Sequence, residues 1–167
     1  MRILTVRQPW AWAIIHGGKD VENRVRNIAG GYRGPVAIHA GLTLDESAFA
    51  DADLHNAWLR AGGDNALGGW GKGKRGRIIG VVDLVDVHVA DDCLATLGVY
   101  QGHESEPDKE CCSVWANYSH DRDIHHLVLA NPRPLAEPIP YKGALGLRHL
   151  GDDMTARILA QIGETNA

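Results

Sequence analysis

The sequence predicts an α+β domain in which short, mostly antiparallel strands form a small β-barrel decorated by two or three helices. Three observations support this prediction. The 167 residues include 20 glycines and 7 prolines, which favours many turns over long helices. Apolar side chains alternate along residues 34–40 and 78–89, as they do in half-buried strands. Helices and strands do not alternate regularly, which argues against a parallel α/β sheet.

Helix boundaries are indicated by capping and stop residues. Pro9 suits the first turn of a helix that ends at Gly17. Residues 43–46 match a capping box, which predicts a second helix ending near Gly62. Residues 152–162 have the pattern of a terminal amphipathic helix. The predicted strands cover residues 2–6, 20–25, 34–40, 78–89, 126–130 and 144–150.

The second half of the chain contains two irregular stretches. Residues 98–123 are polar and without periodicity, which predicts a long loop. The prolines between Pro132 and Pro140 predict a segment confined to sheet edges and turns. No linker separates two domains. We therefore expect one barrel domain over residues 1–150, with a C-terminal helix in residues 151–167 packed on it.

Composition and charge exclude several classes of protein. The net charge of −4 argues against a general coat for nucleic acid, although residues 1–80 carry 11 basic and 7 acidic side chains and could present a basic surface. Three cysteines do not make a disulfide framework. No apolar run is long enough to span a bilayer, and the N-terminus lacks a secretory signal. We expect a cytoplasmic protein without membrane contact.

The most informative stretch runs from Gly17 to Val25. It places Lys19, Glu22 and Arg24 at the spacing Lys-x-x-Glu-x-Arg, directly after a glycine stop and along a predicted strand. Glu22 and Arg24 have the same parity and project from one face of that strand. An exposed ion pair of about 0–1 kcal/mol would explain this pattern without a ligand. A ligand-binding face is the alternative.

Together with Gln8-Pro9-Trp10-Ala11, this stretch resembles the signature of the ASCH domain, a small β-barrel family related to the RNA-binding PUA fold. The resemblance covers most of the chain, but the loop at residues 103–125 and the last helix have no counterpart. It implies a role with RNA or nucleotides. Some relatives bind nucleic acid, some cleave RNA, and one group removes the acyl group from N4-acetylcytidine. The other matching blocks are residues 32–40, 76–84, 131–135 and 142–147.

The resemblance also bears on catalysis. In the deacylating relatives, the residue three positions after the lysine is a threonine nucleophile, and here that position is Glu22. A carboxylate is a poor nucleophile for amide cleavage, so that mechanism does not transfer intact. A hydrolase of this sequence would instead use Glu22 as a general base that activates water, with Lys19 beside it.

Asp83 is the only charged side chain on an otherwise apolar face of the fourth predicted strand. Burial of an unpaired carboxylate is costly, so we expect it to be protonated or to have a partner such as Lys19 or Arg24. It also matches an acidic position in the family's site. A structural ion pair is the alternative. Asp86 and His88 fall on the opposite face and are expected to be solvated.

Aromatic and basic side chains complete the predicted site. Tyr32 and Arg33 could supply a stacking face and a phosphate contact. His39 is either an acid–base candidate or a rim residue. The basic, glycine-rich segment at residues 70–77 suits nucleic-acid backbone contacts, although a solvated loop fits equally well. The predicted catalytic residues are Lys19, Glu22 and Asp83, and the predicted ligand-binding residues are Trp10, Arg24, Tyr32, Arg33, His39, Trp70, Lys72, Lys74, Arg75 and Lys142.

The spacing of the metal-ligating residue types is poor for a metal site. Vicinal cysteines do not reproduce the Cys-x-x-Cys geometry of structural zinc sites, and no cysteine is marked as a nucleophile. We therefore predict no metal and no cofactor. The residues weighed for such a site are His103, Cys111, Cys112, His120, His125 and His126.

These observations lead to two main hypotheses. The first is an ASCH-domain protein that binds single-stranded RNA, a nucleotide or a modified nucleoside in a polar cleft of a PUA-like barrel. The second is a hydrolase using the same cleft, either a ribonuclease or an amidohydrolase of the N4-acetylcytidine type. A domain that binds a protein partner is a third class.

Overall fold

The structure of the protein is a computed structural model that describes residues 1–63, 74–93 and 112–163. Within these residues the fold consists of one sheet and three α-helices, with short 3-10 turns at Glu46–Ala50 and Ala90–Asp92. The strands are β1 (Arg2–Gln8), β2 (Val21–Arg24), β3 (Gly34–Leu44), β4 (Arg77–Val89), β5 (His125–Pro140) and β6 (Leu147–His149). The helices are α1 (Trp10–His16), α2 (Ala52–Arg60) and α3 (Asp152–Ile162).

The strands lie in the order β2-β5-β4-β3-β1-β6. β1 and β3 are parallel, and every other neighbouring pair is antiparallel. The predicted α+β class with mostly antiparallel strands is therefore confirmed. In the described part of the chain no pairing joins β2 to β6, so the sheet is open and the predicted barrel is not confirmed.

The central strands are longer than the sequence predicted, at 11 residues in β3, 13 in β4 and 16 in β5. They bend at irregularities, which let a long strand curve without ending. The β4–β5 register shifts between Ile78 and Gly80, between Val81 and Asp83, and between Leu84 and Asp86. Each shift changes the face to which the following side chains point, but only in the strand that carries the extra residues.

The prolines of β5 lie within a strand, where the sequence predicted only edges and turns. Residues 125–128 of β5 lie between β2 and β4. Residues 133–140 pair with β4, and no described strand pairs with their other side. A proline is tolerated there because its missing N–H leaves no ladder bond unmade on the open side. The proline-containing segment therefore lies at a sheet edge, as predicted, but it belongs to a strand and is not a turn.

The second helix begins later than the capping box predicted. Residues 43–44 belong to β3, whose pairing with β1 continues to Leu44 opposite Gln8. This sheet pairing overrides the local capping signal. Helix α2 instead begins after Asp51, whose carboxylate accepts a hydrogen bond from the Leu54 backbone N–H at 2.8 Å.

Helix α1 packs closely on the sheet. Ala11, Ala13 and Ile14 are buried at its interface. A Cβ atom at Gly80 of β4 would lie 2.6 Å from Cδ1 of Ile15 and 2.9 Å from the backbone carbonyl oxygen of Arg133, so glycine is favoured at this contact. The helix therefore brings the residues at its two ends to fixed positions over the sheet.

Helix α3 packs on the sheet face opposite to the one that α1 covers. Its Ile158 is fully buried in a cluster that includes Ile3, Leu135 and Leu150. Gln161 also exchanges hydrogen bonds with the backbone of Glu137 in β5. No helix among the described residues is both long and apolar enough to cross a membrane.

Candidate functional site

A polar cleft of about 730 Å³ opens beside the start of α1 and the end of β1. Its volume is in the range of small-molecule sites. Strand β2 and residues 114–117 form its opposite side. Its polar and aromatic lining residues are Thr5, Arg7, Trp10, Lys19, Glu22, Asn23, Arg24, Thr43, Asp45, Ser47, Asp51, Asp53, Trp115 and Asn117.

Lys19 lies at the base of this cleft because of how α1 ends. Gly18 adopts φ +76°, a left-handed conformation that favours glycine and turns the chain out of the helix. The next residue, Lys19, bonds through its backbone N–H to Ala13 O at 3.0 Å. Lys19 lines the cleft, although the residue is only 5% exposed.

The Lys19 ammonium is enclosed by aromatic rings. Its Nζ lies 5.3 Å from the centre of the Trp10 ring and 5.4 Å from that of Trp115, so both rings make cation–π contacts. Nζ donates one hydrogen bond, to Val21 O at 2.6 Å. An ammonium has three N–H groups, and in the described residues no other acceptor is bonded to this one.

Burial lowers the pKa of Lys19, since desolvation disfavours the charged form. The negative charges of Glu22, Asp51 and Asp20 oppose that shift without cancelling it. The cleft thus contains an amine that gives up its proton more readily than a solvated lysine.

Glu22 and Arg24 project together from β2, as strand parity predicted. Arg24 Nη2 lies 2.9 Å from Glu22 Oε1, and the same nitrogen donates to Thr5 O at 3.0 Å. The Glu22 side chain is 10% exposed. Oε2 of Glu22 has no partner among the residues described, so one carboxylate oxygen is available as an acceptor.

Trp10 is held in place at the other side of Lys19. Its indole N–H donates to Asp45 Oδ2 at 3.0 Å, and Ser47 Oγ donates to Asp45 Oδ1 at 2.6 Å. The Ser47 hydroxyl is the largest cause of a lowered pKa at Asp45, and the Trp10 bond adds to it. Trp10 thus lines the cleft in a fixed orientation, and its contact with a ligand stays a prediction.

The wall at residues 114–117 was not predicted. Asn23 holds it by two bonds: its Nδ2 donates to Trp115 O at 2.8 Å, and its Oδ1 accepts from the Asn117 N–H at 3.0 Å. The Ser113 hydroxyl also donates a hydrogen bond to the Asp20 carboxylate. The sequence signal was only the tryptophan within a polar loop, because Trp115 lies 92 residues from Asn23 in the chain.

Asp83 does not line the cleft. Its carboxylate accepts two hydrogen bonds from Arg133, at 2.7 and 3.1 Å, and one from Asn131 at 2.9 Å. Its partner is thus Arg133, and not Lys19 or Arg24. These bonds, from Arg133 first, lower the pKa of Asp83, which fits the alternative of a structural ion pair.

Four other predicted ligand contacts also lie away from the cleft lining. Tyr32 donates to Pro35 O at 2.8 Å, and Arg33 lies 3.4 Å from Asp86. His39 is 2% exposed and contacts Tyr141 O through Nε2 at 3.0 Å, and burial lowers its pKa. Lys142 is exposed.

The basic segment is described only in part. Lys74 borders a separate depression beside Trp12 and Trp58, and Arg75 donates to Leu42 O at 3.2 Å. Trp70 and Lys72 lie outside the described residues. The structure therefore brings together Trp10, Lys19, Glu22 and Arg24 from the predicted set.

A second cluster of chemistry-bearing side chains lies next to the cleft wall. The ligand atoms of His88, Cys93, Cys112 and His126 all lie within 4.8 Å of one another. His88 was expected to be solvated, but its side chain is only 15% exposed. Cys112 and His126 were among the residues weighed for a metal site from sequence, whereas His88 and Cys93 were not.

The relationship to known proteins agrees with this fold. The family model of the ASCH domain matches residues 4–138. None of the curated proteins is a significant match. A crystal structure of ASCH from Zymomonas mobilis is 15% identical, with a TM-score of 0.51 over 99% of this chain and 97% of that chain. A point mutant of the Zymomonas mobilis protein is 16% identical, with a TM-score of 0.52 over 95% of this chain and 96% of that chain.

These structural likenesses show the fold alone. The family match covers most of the chain and includes both β2 and the start of α1, which carry Lys19, Glu22 and Trp10. This chain belongs to the ASCH domain family.

Proposed function

We propose that the cleft binds one nucleobase at a time, presented by a nucleoside or by single-stranded RNA, with Lys19 and Glu22 contacting the edge of the base. The proposal rests on one hydrogen-bond donor and one acceptor in the cleft, each of which can form more hydrogen bonds than it makes with the described residues. Lys19 Nζ donates only to Val21 O, and Glu22 uses only Oε1, among the described residues. Both line the cleft.

Such a pair matches a base that offers an acceptor beside an amino group. Cytosine does so, since its N4 amine donates while its neighbouring ring nitrogen and carbonyl accept. Uracil has a carbonyl where cytosine has the amine, and that carbonyl would face the Glu22 carboxylate. Buried sites built around a hydrogen bond discriminate strongly against a ligand that cannot make it. The site is therefore expected to prefer cytidine to uridine.

The charge of the cleft argues for a nucleoside rather than for a long polyanion. Its three basic residues are outnumbered by four acidic ones, so it does not attract phosphates as a basic groove would. Affinity for RNA would then come mainly from the base and fall only gently with salt. The charged lining residues are Arg7, Lys19, Arg24, Glu22, Asp45, Asp51 and Asp53.

The direct test is calorimetric titration of the pure protein with cytidine and with uridine. Cytidine is expected to bind more tightly than uridine. Lys19→Ala is expected to lower the affinity for cytidine by about tenfold or more, because one hydrogen bond to a charged group is lost. Lys142→Ala is the matched control, because this lysine is exposed and lies outside the cleft lining.

Thermal unfolding of both variants separates lost binding from lost folding. The proposal fails if neither nucleoside nor a cytidine-rich RNA oligonucleotide binds to folded protein. It also fails if Lys142→Ala lowers the affinity for cytidine as much as Lys19→Ala does.

A hydrolase in the same cleft is the second candidate, favoured by the lowered pKa of Lys19 beside Glu22. With N4-acetylcytidine, Glu22 would take a proton from water as the water oxygen bonds to the acetyl carbon. The bond from that carbon to N4 would break, and Lys19 would give N4 a proton. The products would be cytidine and acetate.

Chromatography of the reaction mixture decides between binding and turnover. Cytidine formation that disappears in Glu22→Gln supports the hydrolase. An RNA oligonucleotide incubated in parallel would be shortened if the protein is a ribonuclease. Binding without any product leaves the first proposal standing alone.

A further inference from the structure

Four nitrogen and sulfur ligands meet beside the cleft, and they come from separate parts of the chain. His88 lies near the end of β4, and Cys93 follows the 3-10 turn after that strand. Cys112 lies two residues before the cleft wall, and His126 lies near the start of β5. Cys93 and His126 are fully buried, and Cys112 is 8% exposed.

The distances between these atoms fit one small ion. Cys112 Sγ lies 3.4 Å from His88 Nε2 and 3.6 Å from His126 Nδ1. Tetrahedral zinc with its usual bonds to sulfur and nitrogen places such ligand atoms about 3.5 Å apart. The two imidazole rings are nearly perpendicular, at 84°, with their centres 5.3 Å apart, so both can point to a common centre.

Both histidines are oriented by a partner on the far side of the ring. His126 Nε2 lies 2.8 Å from Asn117 O, which can only accept, so Nε2 carries the proton and the Nδ1 lone pair faces Cys112. His88 Nδ1 lies 2.8 Å from Asp86 Oδ2, which leaves Nε2 towards the cluster. A carboxylate or carbonyl behind each histidine is the usual arrangement around bound zinc.

We propose that His88, Cys93, Cys112 and His126 bind one structural Zn²⁺. Two thiolates and two imidazoles are the donor set of tetrahedral zinc, and a hard cation such as Mg²⁺ would take oxygen ligands instead. Four protein ligands leave no open position, so the ion stabilises the fold and does not itself act on substrate. This proposal reverses the expectation drawn from sequence spacing.

The ion would hold the cleft wall. Cys112 lies two residues before this wall, and the backbone carbonyl oxygen of Asn117, the last lining residue of the segment, is bonded to His126. Between them, Trp115 lies against the Lys19 ammonium. Zinc would thus fix a segment with little regular structure at both ends and set the position of one tryptophan of the cleft.

The test measures metal content in the full chain, purified without chelator from zinc-supplemented cells. About one Zn²⁺ per chain is expected by mass spectrometry of the metal. Replacement by Co²⁺ is expected to give the visible bands of a tetrahedral thiolate site. His126→Gln is expected to lose the metal, whereas His125→Gln, one residue away and outside the cluster, is expected to retain it.

Two further measurements keep the test decisive where a ligand variant fails to fold. Asp86→Asn leaves all four zinc ligands in place. It should lower the affinity for zinc about 10–100-fold, because the carboxylate that orients His88 is lost. A strong chelator should lower the melting temperature of the unmodified protein. Protein without zinc that also gives no tetrahedral Co²⁺ spectrum overturns the proposal. A disulfide between Cys93 and Cys112 in the purified protein overturns it as well.

Discussion

Gly80→Ala tests the packing that positions the cleft. A Cβ at this position would lie 2.6 Å from Ile15 Cδ1 and 2.9 Å from the carbonyl oxygen of Arg133. The Ile15 side chain can rotate, but the Arg133 carbonyl belongs to a strand paired with β4 and cannot move alone. The substitution must therefore push α1 away from the sheet or distort the β4–β5 pairing.

The expected cost follows from two opposing effects. Overpacking a core costs about 1–3 kcal/mol, and alanine regains about 0.5–1 kcal/mol because it has less backbone freedom to lose than glycine in a strand. Gly80→Ala should thus lower the free energy of unfolding by about 1–2 kcal/mol. For a chain of this size the melting temperature should fall by about 2–8 °C.

Urea and thermal denaturation measure this loss of stability. Two further variants test whether it comes from the contact with Ile15. Gly31→Ala is the matched control, because no atom lies within 4 Å of its Cβ position. Ile15→Val removes Cδ1, so Gly80→Ala combined with Ile15→Val should cost less than the sum of the two single changes. If Gly80→Ala is as stable as the unmodified protein, α1 does not pack this closely and our account of how Lys19 is positioned is wrong.

Three other substitutions or conditions address the charged groups. Glu22→Gln should lower the affinity for cytidine by about tenfold. It should also reduce the ratio of cytidine to uridine affinity, because the glutamine amide can donate a hydrogen bond to the uracil carbonyl as well as accept one. Competition titrations with the two nucleosides measure both effects. Asp83→Asn should lower the free energy of unfolding by about 1–2 kcal/mol, since Asp83 is partly exposed, and leave cytidine affinity unchanged. The Arg133 hydrogen bonds place the folded-state pKa of Asp83 below its unfolded value, so this stabilisation is present above the unfolded pKa and is lost as pH falls through the folded one. The free energies of unfolding of the unmodified protein and of Asp83→Asn should therefore become equal at low pH, which denaturation at falling pH measures. Because burial lowers the pKa of Lys19, cytidine affinity should begin to fall at a pH below the usual lysine range as the ammonium loses its proton, which titrations at rising pH would detect.

Strand parity predicted the part of the site that lies on a regular strand. β2 pairs with β5 without a register shift, so Glu22 and Arg24 share a face as expected. The same reasoning failed on β4, where the chain advances two residues from Leu84 to Asp86 while the paired β5 advances only one, from Leu129 to Val128. This extra residue reverses the alternation along β4, and nothing in the residue types indicates it. For this reason His88 was predicted to be solvated and is instead mostly buried.

Long-range pairings could not be predicted from one sequence. The partner of Asp83 lies 50 residues along the chain, and the bond from Asn23 to the cleft wall spans 92 residues. The metal-ligating spacing was judged within a single stretch of the chain. The cluster instead combines the end of β4 with the start of β5, which the antiparallel register brings together when His88 pairs with His126.

The two sides of the cleft are supported independently, which separates residues that touch a ligand from residues that position them. On one side, Trp10 and Lys19 depend on α1 and on its contact with Gly80. On the other side, Trp115 depends on Asn23 and on the proposed ion. Both tryptophans contact the same ammonium. A change behind either wall should therefore alter the surroundings and the pKa of Lys19 while every ligand-contacting group remains present, whereas Glu22→Gln alters the contact itself and leaves both walls in place.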